Sequence, residues 1–332
     1  MICDMKKIFC DAVFMGGGVR GIGYAGAVKA FHEAGYDFVN VAGVSAGAIV
    51  ASLVAAGYSG DELDHEMKNI AYKRFKGKGH FGLAGNLFSF RKDYGIYNSD
   101  YFEKWLAELL ARKGIVHFKD LEYVEKGKIK NRLTIAATDV FKRKYLILPQ
   151  DLADYGINPR EFEVAKAVRM SMSIPLFYHP YKLEDSNGVE HWIVDGGLLC
   201  NYPIFLFDNG KSKLPRPVFG FKFDSCAHTA RAKDMELEDE VSETRKKEKL
   251  YSYILRLVDL IFDSQNFQYS EVVAGDEARA VNISVVVNNK VVSPIDFGLS
   301  KETSSALSEN GYLAGKTFLE TWDFKKWVKK YR

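Results

Sequence analysis

Two glycine-framed turns constrain this chain more than any other feature: Gly16-Gly17-Gly18-Val19-Arg20-Gly21 and Gly43-Val44-Ser45-Ala46-Gly47. Each follows an apolar, strand-like run and opens a helix-like one. Glycine suits such a place because the chain must reverse within a few residues, with no room for a side chain where backbone approaches backbone. Two strand-turn-helix units in succession predict parallel α/β architecture. The G-x-S-x-G turn sets Ser45 on a sharp bend at a helix N-terminus, and the glycine-rich turn offers bare backbone N–H groups to a developing oxyanion. Together they have the parts that serine acyl transfer needs.

The alternation continues down the chain. Strands are predicted at 12–15, 38–44, 132–137, 144–148, 191–194, 218–223 and 281–287, and helices at 21–34, 46–56, 101–111 and 161–170. The helix at 46–56 is apolar nearly all round, as a helix buried against a sheet would be, and Gly57 is its stop. Ser59-Gly60-Asp61-Glu62 has the form of a capping box. Residues 72–97 break the pattern with five glycines among phenylalanines and basic residues, the composition of a flexible flap. Residues 231–249 carry thirteen charges of both signs in nineteen positions, which fits a solvated insertion. With no linker or repeat, the chain reads as one domain over 1–332, a mostly parallel central sheet flanked by helices in three α/β/α layers.

A net charge of +3 without zinc-finger or RNP-like spacing gives no reason to expect nucleic acid. Four scattered cysteines, Cys3, Cys10, Cys200 and Cys226, predict reduced thiols and a cytoplasmic setting. The start lacks a signal-peptide pattern, and the longest apolar run, twelve residues at 46–57, falls short of the ~20 that span a bilayer. A peripheral membrane contact is still expected. Lys73, Arg74, Lys76, Lys78, Arg91 and Lys92, with no acid among them, alternate with Phe75, Phe81, Phe88 and Phe90. Basic plus aromatic suits an anionic lipid surface; the alternative is a loop whose phenylalanines tuck into the core. In the tail, Trp327, Val328 and Tyr331 share a helical face that would dock on the core.

Ser45 is the candidate nucleophile, against the alternative of a helix-capping serine. Gly16 to Gly21 also fits G-x-G-x-x-G, and Asp37 lies near the spacing of a ribose-binding acid, so a dinucleotide-binding oxidoreductase is the competing reading. A non-catalytic lipid-binding protein is another. Of the seven histidines none is framed as a base for Ser45, and His191 precedes a strand rather than following it. Asp195 ends a strand and is followed by Gly196 and Gly197, so a Ser–Asp dyad at the carboxyl ends of strands is the preferred arrangement.

Taken in order, G-G-G-V-R-G, G-V-S-A-G and D-G-G make the chain similar to the patatin-like phospholipases, whose pattern is G-G-G-x-[K/R]-G, then G-x-S-x-G, then D-G-[G/A]. The resemblance covers nearly the whole chain, through 94–121, 133–139, the Arg169-Met-Ser-Met-Ser-Ile-Pro175 segment, 195–203 and 297–318. It implies that Ser45 is the nucleophile and Asp195 its base. Gly17, Gly18 and Val19 would supply oxyanion N–H groups with Arg20 nearby, supported by Gly16, Gly21, Gly43, Gly47, Gly196 and Gly197. It further implies metal-independent hydrolysis of acyl esters of phospholipids or related lipids, with no cofactor.

Overall fold

The apolar runs assemble into one eight-stranded mixed sheet in a computed structural model that describes residues 7–75, 94–207, 214–224 and 274–332. Its strands are β1 (Ile8–Phe14), β2 (Tyr36–Val44), β3 (Leu133–Asp139), β4 (Lys144–Leu148), β5 (Tyr181–Glu184), β6 (Glu190–Asp195), β7 (Val218–Phe223) and β8 (Ala280–Ile283). The order is β8-β7-β1-β2-β3-β6-β5, with β4 also on β3. The run from β8 to β3 is parallel throughout, while β4, β5 and β6 pair antiparallel. Residues 133–139 are buried at every position, because β3 is covered on both faces and both edges.

Helices flank this sheet: α1 (Ile22–Glu33), α2 (Ala46–Ala55), α3 (Gly60–Lys68), α4 (Asp100–Arg112), α5 (Val164–Met172), α6 (Lys301–Thr321) and α7 (Phe324–Tyr331). α2 is buried at 46–54, matching its all-round apolar sequence. The capping box is present: Ser59 Oγ accepts the Glu62 N–H, and Glu62 Oε2 accepts the Ser59 N–H. Trp327 docks α7, buried with its indole N–H donating to Gly275 O at 2.8 Å. Among the described residues, no helix is long and apolar enough to cross a membrane.

Four expectations change. The helix expected from residue 161 starts at Val164 and runs to Met172, which brings Ser171 and Met172 into it. Thr138 and Asp139 belong to β3 itself rather than to the turn after it. The strand expected at 281–287 divides into β8 and a short Val286–Val287 strand that turns back on Lys290–Val291. Both ends of the flap are regular: Tyr72–Phe75 is one helical turn whose Phe75 is core, 2% exposed against Phe102 and Trp105, and Gly95–Tyr97 pairs with Leu176–Tyr178. The remainder of the flap and the charged insertion at 231–249 lie outside the described residues.

Candidate active site

Ser45 caps α2 with φ 53° and ψ −125°, a left-handed conformation that costs a non-glycine residue roughly 1–3 kcal/mol. The cost is offset by partners. Its N–H donates to Ser171 Oγ at 2.8 Å, and Ser171 is fully buried at the end of α5. The next residue, Met172, brings its Sδ to 3.9 Å from Ser45 Oγ. Ser173 O then accepts the Asp195 N–H at 2.9 Å. The last turn of α5 therefore holds both chemical groups at once, a role that no local motif in the sequence signals.

Strand register brings the two side chains together. β2 ends with Val44 beside Ala136, and β6 ends with Asp195 beside Ala137. Because β4 occupies the other edge of β3 at both residues, β2 and β6 lie along the same edge and meet tip to tip. Both groups thus stand at the carboxyl ends of their strands, approached from opposite directions. β6 runs antiparallel, and Asp195 reaches Ser45 because β6 descends to the level at which β2 leaves the sheet.

Asp195 is fully buried. Its Oδ1 accepts the Gly197 N–H at 2.8 Å, while Oδ2 has no hydrogen-bond partner among the described residues. Burial raises the carboxyl to about 7, against the Ser45 hydroxyl and the Gly197 N–H, which pull it down. Such a carboxyl exchanges its proton near neutrality, where a general base is most effective.

The glycine-rich turn lies against the elbow, Gly21 packing on Ala46. Gly18 has φ +57°, and a Cβ there would stand 1.9 Å from Pro294 O. Val19, expected as an oxyanion donor, is already committed: its N–H donates to Pro294 O at 2.9 Å. The N–H groups of Gly17 and Gly18 make no hydrogen bond among the described residues. Arg20 is buried, its Nε donating to Val292 O at 2.7 Å. Gly16 is gripped by Asn201, whose carbonyl accepts its N–H at 3.2 Å and whose amide donates to its carbonyl at 3.3 Å. Asn201, like Ser171, was not singled out by sequence.

The competing assignments lose their geometry. Asp37 is the second residue of β2, at the opposite end of the strand from both turns, and pairs with Lys7 at 2.8 Å. His191 faces Asp139 at 3.0 Å and Asp185 at 3.5 Å, farther up β6, and no described histidine is hydrogen-bonded to Ser45. Among the described residues, no group of three or more His, Cys, Asp or Glu is placed to hold a metal ion.

The family model described as patatin-like phospholipase matches residues 12–208, which takes in both glycine turns and Asp195. The chain belongs to the patatin-like phospholipase family. The uncharacterized protein YqhO of Bacillus subtilis is 41% identical over 216 residues, 64% of this chain and 70% of YqhO. A probable lipid hydrolase, 463L of Invertebrate iridescent virus 6, is 26% identical over 219 residues, 62% of this chain and 67% of that protein. The crystal structure of VipD from Legionella pneumophila superposes with a TM-score of 0.53 at 17% identity, covering 95% of this chain and 67% of VipD, a likeness of fold. Membership in the patatin-like phospholipases supports lipid hydrolysis.

Proposed function

We propose that the whole chain acts as one catalytic unit, a serine acyl hydrolase that cleaves fatty acyl esters of phospholipids or related lipids through a Ser45–Asp195 dyad. The observation that carries this reading is a strained, buried serine beside a buried carboxylate with one oxygen unpartnered. Ser45 Oγ turns from Met172 toward Asp195 Oδ2, gives up its proton and attacks the ester carbonyl. The oxyanion takes the Gly17 and Gly18 N–H groups, which stand in for the three donors first expected. Asp195 passes the proton to the departing alcohol, leaving the acyl group on Ser45. Water then attacks this ester while Asp195 takes its proton, the fatty acid leaves, and Ser45 recovers a proton from Asp195.

The chemistry draws on no metal, so activity should persist through exhaustive chelation with EDTA; restoration by added calcium would contradict it. A fluorophosphonate probe should label the wild type covalently and leave Ser45→Ala unlabelled. Ser45→Ala should also fold normally and lose ester turnover by several orders of magnitude. Wild-type-like hydrolysis of a p-nitrophenyl ester by that variant would exclude the serine mechanism.

A further inference from the structure

The hairpin between β3 and β4 continues past the level at which β2 leaves the sheet, alongside β6, and presents an apolar tip. Asp139 pairs with Lys144, so residues 140–143 form the turn, and Phe141 lies four positions along from Ala137, the residue that marks the level of Asp195. At about 3.3 Å per residue, β3 carries Asp139 roughly 7 Å beyond the level of the dyad, and the turn begins there. Val140 is 43% exposed and Phe141 57% exposed. Lys142 and Arg143 beside them are exposed; neither is in an ion pair among the described residues, Lys142 lying over the Tyr155 ring at 3.7 Å with its Nζ 3.5 Å from Asp154 O. Of the acids around the turn, Asp151 and Asp154 pair with Lys144, and Glu190 pairs with Lys182. Two more amphipathic rings complete the patch, since Trp192 packs on Phe141 at 5.0 Å and Tyr94, 47% exposed, packs on Trp192 at 4.3 Å.

The tip is rigid, and the polar cluster beneath it is the reason. Asp139 Oδ1 accepts the N–H groups of Phe141 at 2.8 Å and Lys142 at 2.9 Å, and Trp192 O accepts the Val140 N–H at 3.0 Å. Asp139 is in turn fully buried, held by the Tyr155 hydroxyl at 2.7 Å and facing His191 at 3.0 Å. Three successive backbone donors at the tip are thus satisfied internally, which is the condition for sinking an apolar turn into a lipid interface without stranding polar groups. Tyr and Trp favour that interface, and cations gain from an anionic leaflet.

We propose that the 140–143 tip, with Tyr94 and Trp192, docks the protein on an anionic lipid surface, with the Asp139–Tyr155–His191 cluster as its internal brace. This rests on the lipid-hydrolase reading for its purpose but not for its test. The test is sedimentation with vesicles of phosphatidylcholine and phosphatidylserine, alongside turnover of soluble p-nitrophenyl butyrate. A Val140→Ser, Phe141→Ser variant should bind at least tenfold more weakly and keep its butyrate turnover. A Lys142→Gln, Arg143→Gln variant should lose affinity for the anionic vesicles while its residual binding to pure phosphatidylcholine matches wild type. Asp139→Asn, which weakens the brace and leaves the exposed residues in place, should fall between wild type and the serine variant. Unchanged vesicle affinity in the serine variant, including the case where the patch proves to hold a protein instead, overturns the docking proposal and leaves the hydrolase reading intact. Tip-dependent vesicle binding by a protein that turns over no ester upholds docking and overturns the hydrolase reading.

Discussion

Asp195 and Ser171 determine how the site should respond to pH and to substitution. With its carboxyl raised to about 7 by burial, Asp195 must lose a proton to act, so kcat/KM should climb with pH and level off above about 7. Asp195→Asn should be nearly inactive, with the limb gone from its residual rate; a dead, well-folded His191→Ala with a live Asp195→Asn would transfer the role. Stability runs the other way. A carboxyl whose folded value lies above its ordinary 3.8 binds its proton more tightly in the native state, so native stability falls as pH rises from about 4 to about 7 and is flat beyond. Asp195→Asn should therefore melt higher than wild type at pH 8, by on the order of a few kcal/mol, and the two should converge near pH 4. Ser171 acts through its grip on the Ser45 N–H. Ser171→Ala leaves a buried donor unpaired at a strained residue, costing about 1–3 kcal/mol; kcat should drop roughly tenfold or more with KM little changed, and Ser171→Thr should restore part of it. An unaltered kcat in Ser171→Ala would mean that the elbow holds itself.

At the level of strands and helices, the site depends on two strand tips meeting on one edge of β3, a relation made of register. Gly196 secures it, since a Cβ there would stand 2.6 Å from Ala136 O, a backbone atom with no freedom to move. Gly196→Ala should push the end of β6 off β3, lower kcat strongly and leave the pH limb near 7, because the carboxyl remains buried; a shifted limb with normal kcat would contradict this. The same relation explains what could be read from the chain beforehand. Ser45, Asp195 and the glycine turn were legible because strained turns demand particular residues within a few positions. The apolar periods of β1, β2, β4, β7 and α2 were legible because burial imposes them. Antiparallel β6 was not foreseen, since strand direction leaves no mark on so short a strand. Ser171, Met172 and Asn201 were not foreseen because they act over separations of 126, 127 and 185 residues, where spacing carries no signal. The loss of Val19 as a donor has the same origin, its partner Pro294 lying near the far end of the chain.

Across the molecule, the residues that would do chemistry all lie within the matched span 12–208, yet the sheet and the glycine turn are completed from beyond it. β1 takes β7 as its parallel partner on one edge, and β8 caps β7. Pro294 and Val292 anchor Val19 and Arg20, and α6 crosses α1 so closely that a Cβ on Gly311 would meet Gly23 O at 1.8 Å. A fragment ending at residue 208 should therefore be insoluble or molten and inactive although it carries Ser45, Asp195 and every glycine of the turns. A soluble, active fragment would show that the added strands are dispensable. The order in which the parts emerge during synthesis gives this arrangement a timing. The serine elbow and its base leave the ribosome long before the strand and the carbonyls that fix the glycine turn, so a growing chain would carry a nucleophile with an unbraced oxyanion loop. On the proposed reading, hydrolysis would begin only once β7, β8 and the segment carrying Val292 and Pro294 had joined the sheet.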